Sequence, residues 1–206
     1  MKDLILIGGG SYGREVASGI EGWLGYNKEW RFKGFLDNQL DRSGVEELII
    51  GLVSEYEPNP NDVFACTLPE QRYRRRYVEL ITGKGGRFIS LQHRSAEISA
   101  DVNIGVGTLI GPFCSAGSKA TIGDYSILNS HVAVGHDALI GAYAHINAFT
   151  LISGFAELEE EVTIHPQSSV LPGKKVGMGA TVGIGSIVMR NVKPGVTVFG
   201  NPAREI

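Results

Sequence analysis

Histidine is scarce in this sequence, and four of the five, His131, His136, His145 and His165, fall between positions 131 and 165. His136 is followed directly by Asp137. A neutral imidazole at pH 7 is poised to accept a proton. A carboxylate beside it fixes the tautomer and raises the basicity. Asn129 lies seven residues upstream of His136 and His145 nine downstream. A lone His-Asp dipeptide is common in proteins of every kind, so what matters is where the chain holds it. A second motif opens the chain. Gly8, Gly10 and Gly13 in Gly8-Gly9-Gly10-Ser11-Tyr12-Gly13 have the G-x-G-x-x-G spacing. Such glycines let backbone N–H groups approach a phosphate at a helix N-terminus, and they equally serve a tight turn packing strand on helix.

The element that must position the histidines is a repeat. From Ile98 to Val188 every sixth residue is Ile, Leu or Val, fifteen times in sixteen, with Ala116 the break. Chance does not keep that register. Two residues before each aliphatic stands a small or β-branched residue, Lys174 excepted, and the residue just after it is often Gly or Asn. Both tolerate a positive φ at little cost, so they are expected to turn the corners. The physical reading is a parallel β-helix of hexapeptides, three short strands to a triangular coil of eighteen residues. The large aliphatic fills the axis and the small partner lets the chain bend inward. A charged imidazole has no place in that core, so the histidines belong at corners or outer faces. Gly154 follows His136 by eighteen residues, one coil, and is expected directly over it. Its bare N–H suits a developing oxyanion.

Residues 1–94 read as a separate small parallel α/β domain, and 95–206 as the β-helix with a closing tail. The expected elements of the first are a strand Lys2–Ile7, a helix from about Arg14 to Leu24, and a strand Phe32–Leu36. An irregular Asp41–Pro60 follows, with a short strand possible at Leu48–Val53. Then come a strand Asp62–Leu68, a helix Pro69–Thr82 with Pro69 in its first turn, and a strand Arg87–Leu91. Asp37-Asn38 ends the second strand, where an acid commonly accepts from a ribose hydroxyl. Only about 92 residues precede the repeat, which fits a mononucleotide or nucleotide-sugar better than a dinucleotide. Arg72, Arg74, Arg75 and Arg76 read as a solvated helix face. The tail, with Lys193-Pro194-Gly195 and Asn201-Pro202-Ala203, reads as a turn, a last strand and a turn.

The chain is 43% apolar with a formal charge of −3, a globular balance that gives no electrostatic pull toward nucleic acid. The apolar start Leu4–Ile7 is too short for a signal peptide, and no stretch can span a bilayer. Cys66 and Cys114 fall in different expected domains and read as two buried thiols, in keeping with a cytoplasmic protein.

The glycine-rich start, Asp37, the run Asn129–His145 and Asn201-Pro202-Ala203 together resemble the bacterial nucleotide-sugar acetyltransferases. These N-acetylate 4-amino sugars of the bacillosamine, perosamine and viosamine types, and sialic acid O-acetyltransferases are close relatives. The resemblance covers essentially the whole chain. It implies a left-handed β-helix, acetyl-CoA as co-substrate with no metal, a nucleotide-linked sugar as acceptor, a homotrimer, and a place in surface polysaccharide or glycan synthesis. By position it implies His136 as general base, Asp137 as its acidic neighbour and Asn129 placing the substrate. It also implies His145, Gly154 and Ile184 at the acetyl-CoA, with Gly154 holding the thioester carbonyl. Gly10, Ser11, Tyr12, Asp37 and Asn38 match the nucleotide segments. Two departures stand out. Thr67 occupies a place where the family usually has a Gly against the nucleotide. The coil Glu157–Gln167, with Glu159, Glu160 and Glu161, lacks its usual corner glycines; the glutamates read as a solvated edge, and Lys174 and Lys175 as surface lysines.

The residues also fit three other readings. One is sugar O-acetylation of the sialic acid type. Another is a metal enzyme like the γ-class carbonic anhydrases, since His131 and His136 have the H-x4-H spacing that such a zinc site uses across a subunit boundary. A third ligand would then be needed near position 95, where Ser95 stands and His93 is close. The last is a non-catalytic nucleotide-binding or scaffold protein.

Overall fold

The computed structural model describes residues 1–39 and 44–206, so residues 41–43 of the expected irregular segment lie outside the described residues. The chain forms two compact units, Met1–Leu91 and Gln92–Ile206.

The first unit is a parallel sheet of β1 (Lys2–Ile7), β2 (Trp30–Leu36), β3 (Ile49–Gly51) and β4 (Asp62–Cys66), in the order β3-β2-β1-β4. Leu4, Ile5, Leu6 and Ile7 have no exposed surface, as a strand covered on both faces requires. Segment Arg87–Leu91 does not form the expected regular strand. It touches the sheet through one bridge, Phe64 to Phe88, with Ile89 N–H donating to Phe64 O. Helix α1 is Ser11–Ser18, starting earlier and ending sooner than its apolar period suggests; Gly19 caps it and a 3-10 turn, Ile20–Gly22, follows. Helix α2 is Gln71–Gly83 with Glu70 as N-cap, which leaves Pro69 just outside the first turn.

Arg74 corrects the reading of the basic run. It is fully buried on the same stripe as Tyr77, Val78 and Ile81. Its guanidinium donates to the carbonyls of Leu68 (2.7 Å) and Pro69 (3.0 Å), closing the β4–α2 turn.

A buried charge cluster ties β2 to β4. The Asp62 side chain has no exposed surface and receives Lys33 Nζ at 2.7 Å, Tyr56 OH at 2.7 Å and Asn59 N–H at 2.8 Å. Burial pulls its carboxyl pKa up, but the Lys33 ammonium and the Asn59 and Tyr56 donors win and leave it below the usual 3.8. The folded pKa is therefore below the unfolded one. The stabilisation is present at neutral pH and is lost as pH falls through the unfolded value toward the folded one. Asp62→Asn is expected to cost about 3 kcal/mol at pH 7, as for a broken buried pair. Urea unfolding should show that deficit shrinking below about pH 4. A deficit independent of pH would contradict the ion-pair account.

The second unit is a three-sided β-helix. Sixteen two-residue strands run from Glu97–Ile98 to Ile187–Val188, three to a coil. The first face holds Thr121–Ile122 and Leu139–Ile140, the second Ile127–Leu128 and His145–Ile146, the third Ala133–Val134 and Leu151–Ile152, each paired in parallel eighteen residues apart. The aliphatic column forms the core, with Ile122, Leu128, Ile146, Ile152 and Ile164 fully buried. Ile146→Ala is expected to cost about 2–5 kcal/mol in urea unfolding, whereas Leu139→Ala, whose side chain is 48% exposed, should cost far less. Equal costs would contradict the assignment of core and outer columns. The tail adds Thr197–Phe199, parallel to Thr181–Val182, and then pairs it antiparallel with Arg204–Glu205, one strand more than expected.

The corner glycines act differently from the expectation. Gly105, Gly123 and Gly135 are not at positive φ. A Cβ on Gly105 would sit 2.4 Å from Asp124 N, and one on Gly135 2.4 Å from Gly154 N. They are glycine because successive coils approach too closely for a side chain. The left-handed residue of each corner lies two positions on, and is often not glycine: Phe113, Lys119, Tyr125, His131, Asp137, Tyr143, Phe149 and Phe155 all have φ near +58°, from 55° to 60°. Each costs on the order of 1 kcal/mol. Ring stacking down the corners offsets part of it: Phe113, His131 and Phe149 stack with centroids 4.9 and 4.6 Å apart, and Tyr125 stacks on Tyr143 at 5.2 Å.

Candidate active site

His136 lies on the corner between the third face and the first, two residues beyond Val134. Its neighbour Asp137 takes the left-handed turn position, φ +55°, and its N–H donates to Ser118 O one coil below. That turn brings the carboxylate back onto the ring, with His136 Nδ1 and Asp137 Oδ2 2.9 Å apart. A carboxylate can only accept here, so Nδ1 carries the proton and Nε2 presents its lone pair. The imidazole is 59% exposed, open to a substrate.

Gly154 sits one coil above. A Cβ there would fall 2.8 Å from His136 Nε2 and 2.9 Å from Cε1. The ring occupies the space a side chain would need, so Gly154 is glycine for room and not for φ. Backbone N–H groups at this corner position stand outside the coil-to-coil ladder. Asp124 Oδ1 takes that of Val106 at 2.9 Å, and Glu159 Oε2 that of Met178 at 2.7 Å. The Gly154 N–H has no acceptor among the described residues. Phe155 completes the corner, its ring perpendicular to the imidazole at 5.0 Å and 62% exposed. Nothing in the sequence reading pointed to Phe155.

Asn129, at the corner between the second face and the third, and His145, in a strand of the second face, form a second group. Asn129 Nδ2 lies 3.5 Å from His145 Nε2 and donates to Asn147 Oδ1 at 3.2 Å. The buried Asn129 Oδ1 has no hydrogen-bond partner among the described residues. The Cys114 thiol anchors this corner by donating to Asn129 O at 3.0 Å, and its burial pushes its pKa up to about 11. Ile184 lies along the same corner, three coils beyond Ser130, and is 57% exposed. The chain thus gathers His136, Asp137 and Gly154 at one corner and places Asn129, His145 and Ile184 along the second face and the corner that follows it.

His131 is stacked between the Phe113 and Phe149 rings at that second corner, one face away from His136. Among the described residues no group of three His, Cys, Asp or Glu is placed to hold a metal ion. Lys175 is engaged by Glu157 at 2.9 Å and Glu159 at 2.6 Å. Hydrogen bonds from Lys175 and from Met178 N–H hold the Glu159 carboxyl below its usual pKa.

In the first unit the ends of β1, β2 and β4 meet at the point where strand order reverses, the usual crevice of such sheets. A cavity of about 410 Å³ opens there, lined in part by Gly8, Asp37, Asn38, Gln39, Tyr73 and Tyr77. Asp37 is 5% exposed; its two oxygens accept Gly9 N–H at 2.7 Å and Gln39 N–H at 2.9 Å. Asn38 Nδ2 donates to Tyr77 OH. Gly10 caps α1, with Ser11 and Tyr12 in its first turn. Thr67 lies behind the cavity wall, 2% exposed. Tyr73 and Tyr77 went unremarked in the sequence, although their four-residue spacing on one helix puts them on one face.

No protein-family model matches the sequence, and no curated protein does. Solved structures do. The acetyltransferase domain of PglB from Neisseria gonorrhoeae, in complex with acetyl coenzyme A, is 27% identical, with a TM-score of 0.89 over 100% of this chain and 99% of that one. PerB from Caulobacter crescentus, in complex with CoA and GDP-perosamine, is 22% identical, with a TM-score of 0.90 over 100% and 98%. WeeI from Acinetobacter baumannii is 24% identical, with a TM-score of 0.88 over the whole of both chains. From end to end, then, this chain shares the fold of the hexapeptide-repeat sugar N-acetyltransferases, a small parallel α/β sheet followed by a left-handed β-helix.

Proposed function

We propose that the chain transfers the acetyl group of acetyl-CoA to the amino group of a nucleotide-linked amino sugar, in surface polysaccharide or glycan synthesis. The observation that carries this reading is the His136 imidazole lying on Gly154, with a free lone pair on one and a free N–H on the other. The amine nitrogen bonds to the acetyl carbon as the carbonyl π pair moves onto oxygen, and His136 Nε2 takes the proton that nitrogen loses. As the carbonyl re-forms the C–S bond breaks, and the thiolate takes that proton from His136 Nε2, which leaves the imidazole neutral again. Asp137 holds the Nδ1 proton and supports the imidazolium. The Gly154 N–H donates to the carbonyl oxygen as charge gathers there. No covalent link to the protein is needed. The neighbours solved with acetyl-CoA, or with CoA and GDP-perosamine, support the substrate classes.

The first unit takes the nucleotide: the cavity beside Asp37 and Asn38 holds the nucleoside, and the first turn of α1, Gly10-Ser11-Tyr12, faces its phosphates. The protein works as a homotrimer. Asn129, His145 and Ile184 stand one face away from His136, so a second subunit's corner brings its own copies of them to the reacting group. Exposed Phe149 (60%), Phe155 (62%) and Leu151 (45%) give such a contact apolar surface to cover. Two buried thiols suit a cytoplasmic setting.

The test is release of CoA from acetyl-CoA with a panel of UDP-, dTDP- and GDP-linked 4-amino sugars, sialic acid included. Turnover is expected with an amino sugar and not with sialic acid. Turnover with sialic acid alone would move the reading to O-acetylation, and no turnover together with no acetyl-CoA binding would reject the enzyme.

A further inference from the structure

We infer that Thr67 and Asp37 clamp the Gly8–Gly9 peptide from its two ends and so set how firmly the glycine loop holds a nucleotide. This rests on the proposal that a nucleotide binds in the first unit. Thr67 is then a positioning residue, buried out of the ligand's reach.

Gly8 has φ +104°, open only to glycine, and Gly9 follows it. Two glycines in sequence leave the peptide between them no side-chain brake against rotation. In a trans peptide the C=O and the N–H point in opposite directions, so rotation is stopped only if both ends are held. Both are. The Thr67 hydroxyl sits 2.8 Å from Gly8 O, with Ile7 O as a second acceptor at 3.0 Å. On the other side Gly9 N–H donates to Asp37 Oδ2 at 2.7 Å. Both clamping residues are buried, at 2% and 5% exposure. They come from the ends of β4 and β2, the strands on either side of β1. The clamp therefore spans the crevice and fixes the loop to the whole sheet.

Helix α1 depends on it. A Cβ on Gly13 would fall 1.9 Å from Gly8 O and 3.0 Å from Thr67 Oγ1. The Gly8 carbonyl is thus wedged between the threonine hydroxyl and the first turn of the helix. Were that peptide to turn over, the carbonyl would leave this slot, and the amides of the loop and helix start would lose their common aim.

The experiment is calorimetric titration of the full chain and its T67V and T67S variants with UDP, dTDP and GDP, with amide hydrogen exchange at Gly9 alongside. Valine keeps the shape and removes the hydroxyl; serine keeps the hydroxyl. For whichever nucleotide the unaltered protein binds, T67V is expected to bind about tenfold more weakly, the worth of one hydrogen bond. T67S should bind as the unaltered protein does, and the Gly9 amide should exchange faster in T67V alone. KM for acetyl-CoA should stay unchanged in all three. Equal binding by T67V, or equal loss in T67S, would overturn the clamp while leaving the nucleotide site standing. Binding of none of the three nucleotides by the unaltered protein would overturn the nucleotide reading and the clamp's role with it; Gly9 exchange would still say whether the hydroxyl holds the peptide.

Discussion

Replacing His136 by alanine is expected to lower kcat for acetyl transfer by about 10²–10⁴-fold, the usual worth of a positioned general base. The imidazole is 59% exposed and packs into no core, so the melting temperature should stay within a few degrees of the unaltered protein. Binding of acetyl-CoA should survive, because the Gly154 amide remains. Asp137→Asn offers a graded companion. Asn accepts the left-handed φ that Asp137 occupies, so it changes the charge beside Nδ1 without straining the turn, and the loss should be smaller than in H136A. Near-full turnover in H136A would remove the base from the mechanism.

The second large effect comes from adding one carbon. Gly154→Ala places a methyl 2.8 Å from His136 Nε2, so the ring must swing toward solvent. Displacing a reacting group by about 1 Å commonly costs ~10²-fold in rate, and that loss is expected in kcat. Stability should hardly change, since the displaced atoms end an exposed side chain with solvent to move into. Gly135→Ala makes the contrast. Its Cβ would meet the backbone, Gly154 N at 2.4 Å, and two coils would have to part, so its melting temperature should fall. If G154A unfolded as readily as G135A and lost no more activity, Gly154 would be only a corner of the scaffold.

The aliphatic column was legible from residue types because a solenoid repeats one environment every six positions, and each environment selects one kind of side chain. The role of the corner glycines was not. A glycine in a sequence says that a Cβ is excluded without saying whether φ or a neighbouring coil excludes it. Here the coils do, and Asp137, Phe155 and their equivalents bear the left-handed turn. The partition of the site was written in the period but easily missed. Gly154 follows His136 by eighteen residues and must stack on it. Asn129 and His145 differ from it by seven and nine, so they cannot share its corner. Arg74 read as surface because it sits in a run of arginines, yet it keeps step with Val78 and Ile81 on the buried stripe of α2. Thr67 and Asp37 are thirty positions apart, and only the sheet order brings them to one peptide.

The most direct test of the active site is a crystal structure of the protein soaked with CoA. The thiol sulfur is expected at the His136 corner, with the Gly154 N–H and His136 Nε2 each within about 3.5 Å of the reacting group's position. A sulfur seated at another corner, or an imidazole turned away from Gly154, would contradict the proposed mechanism.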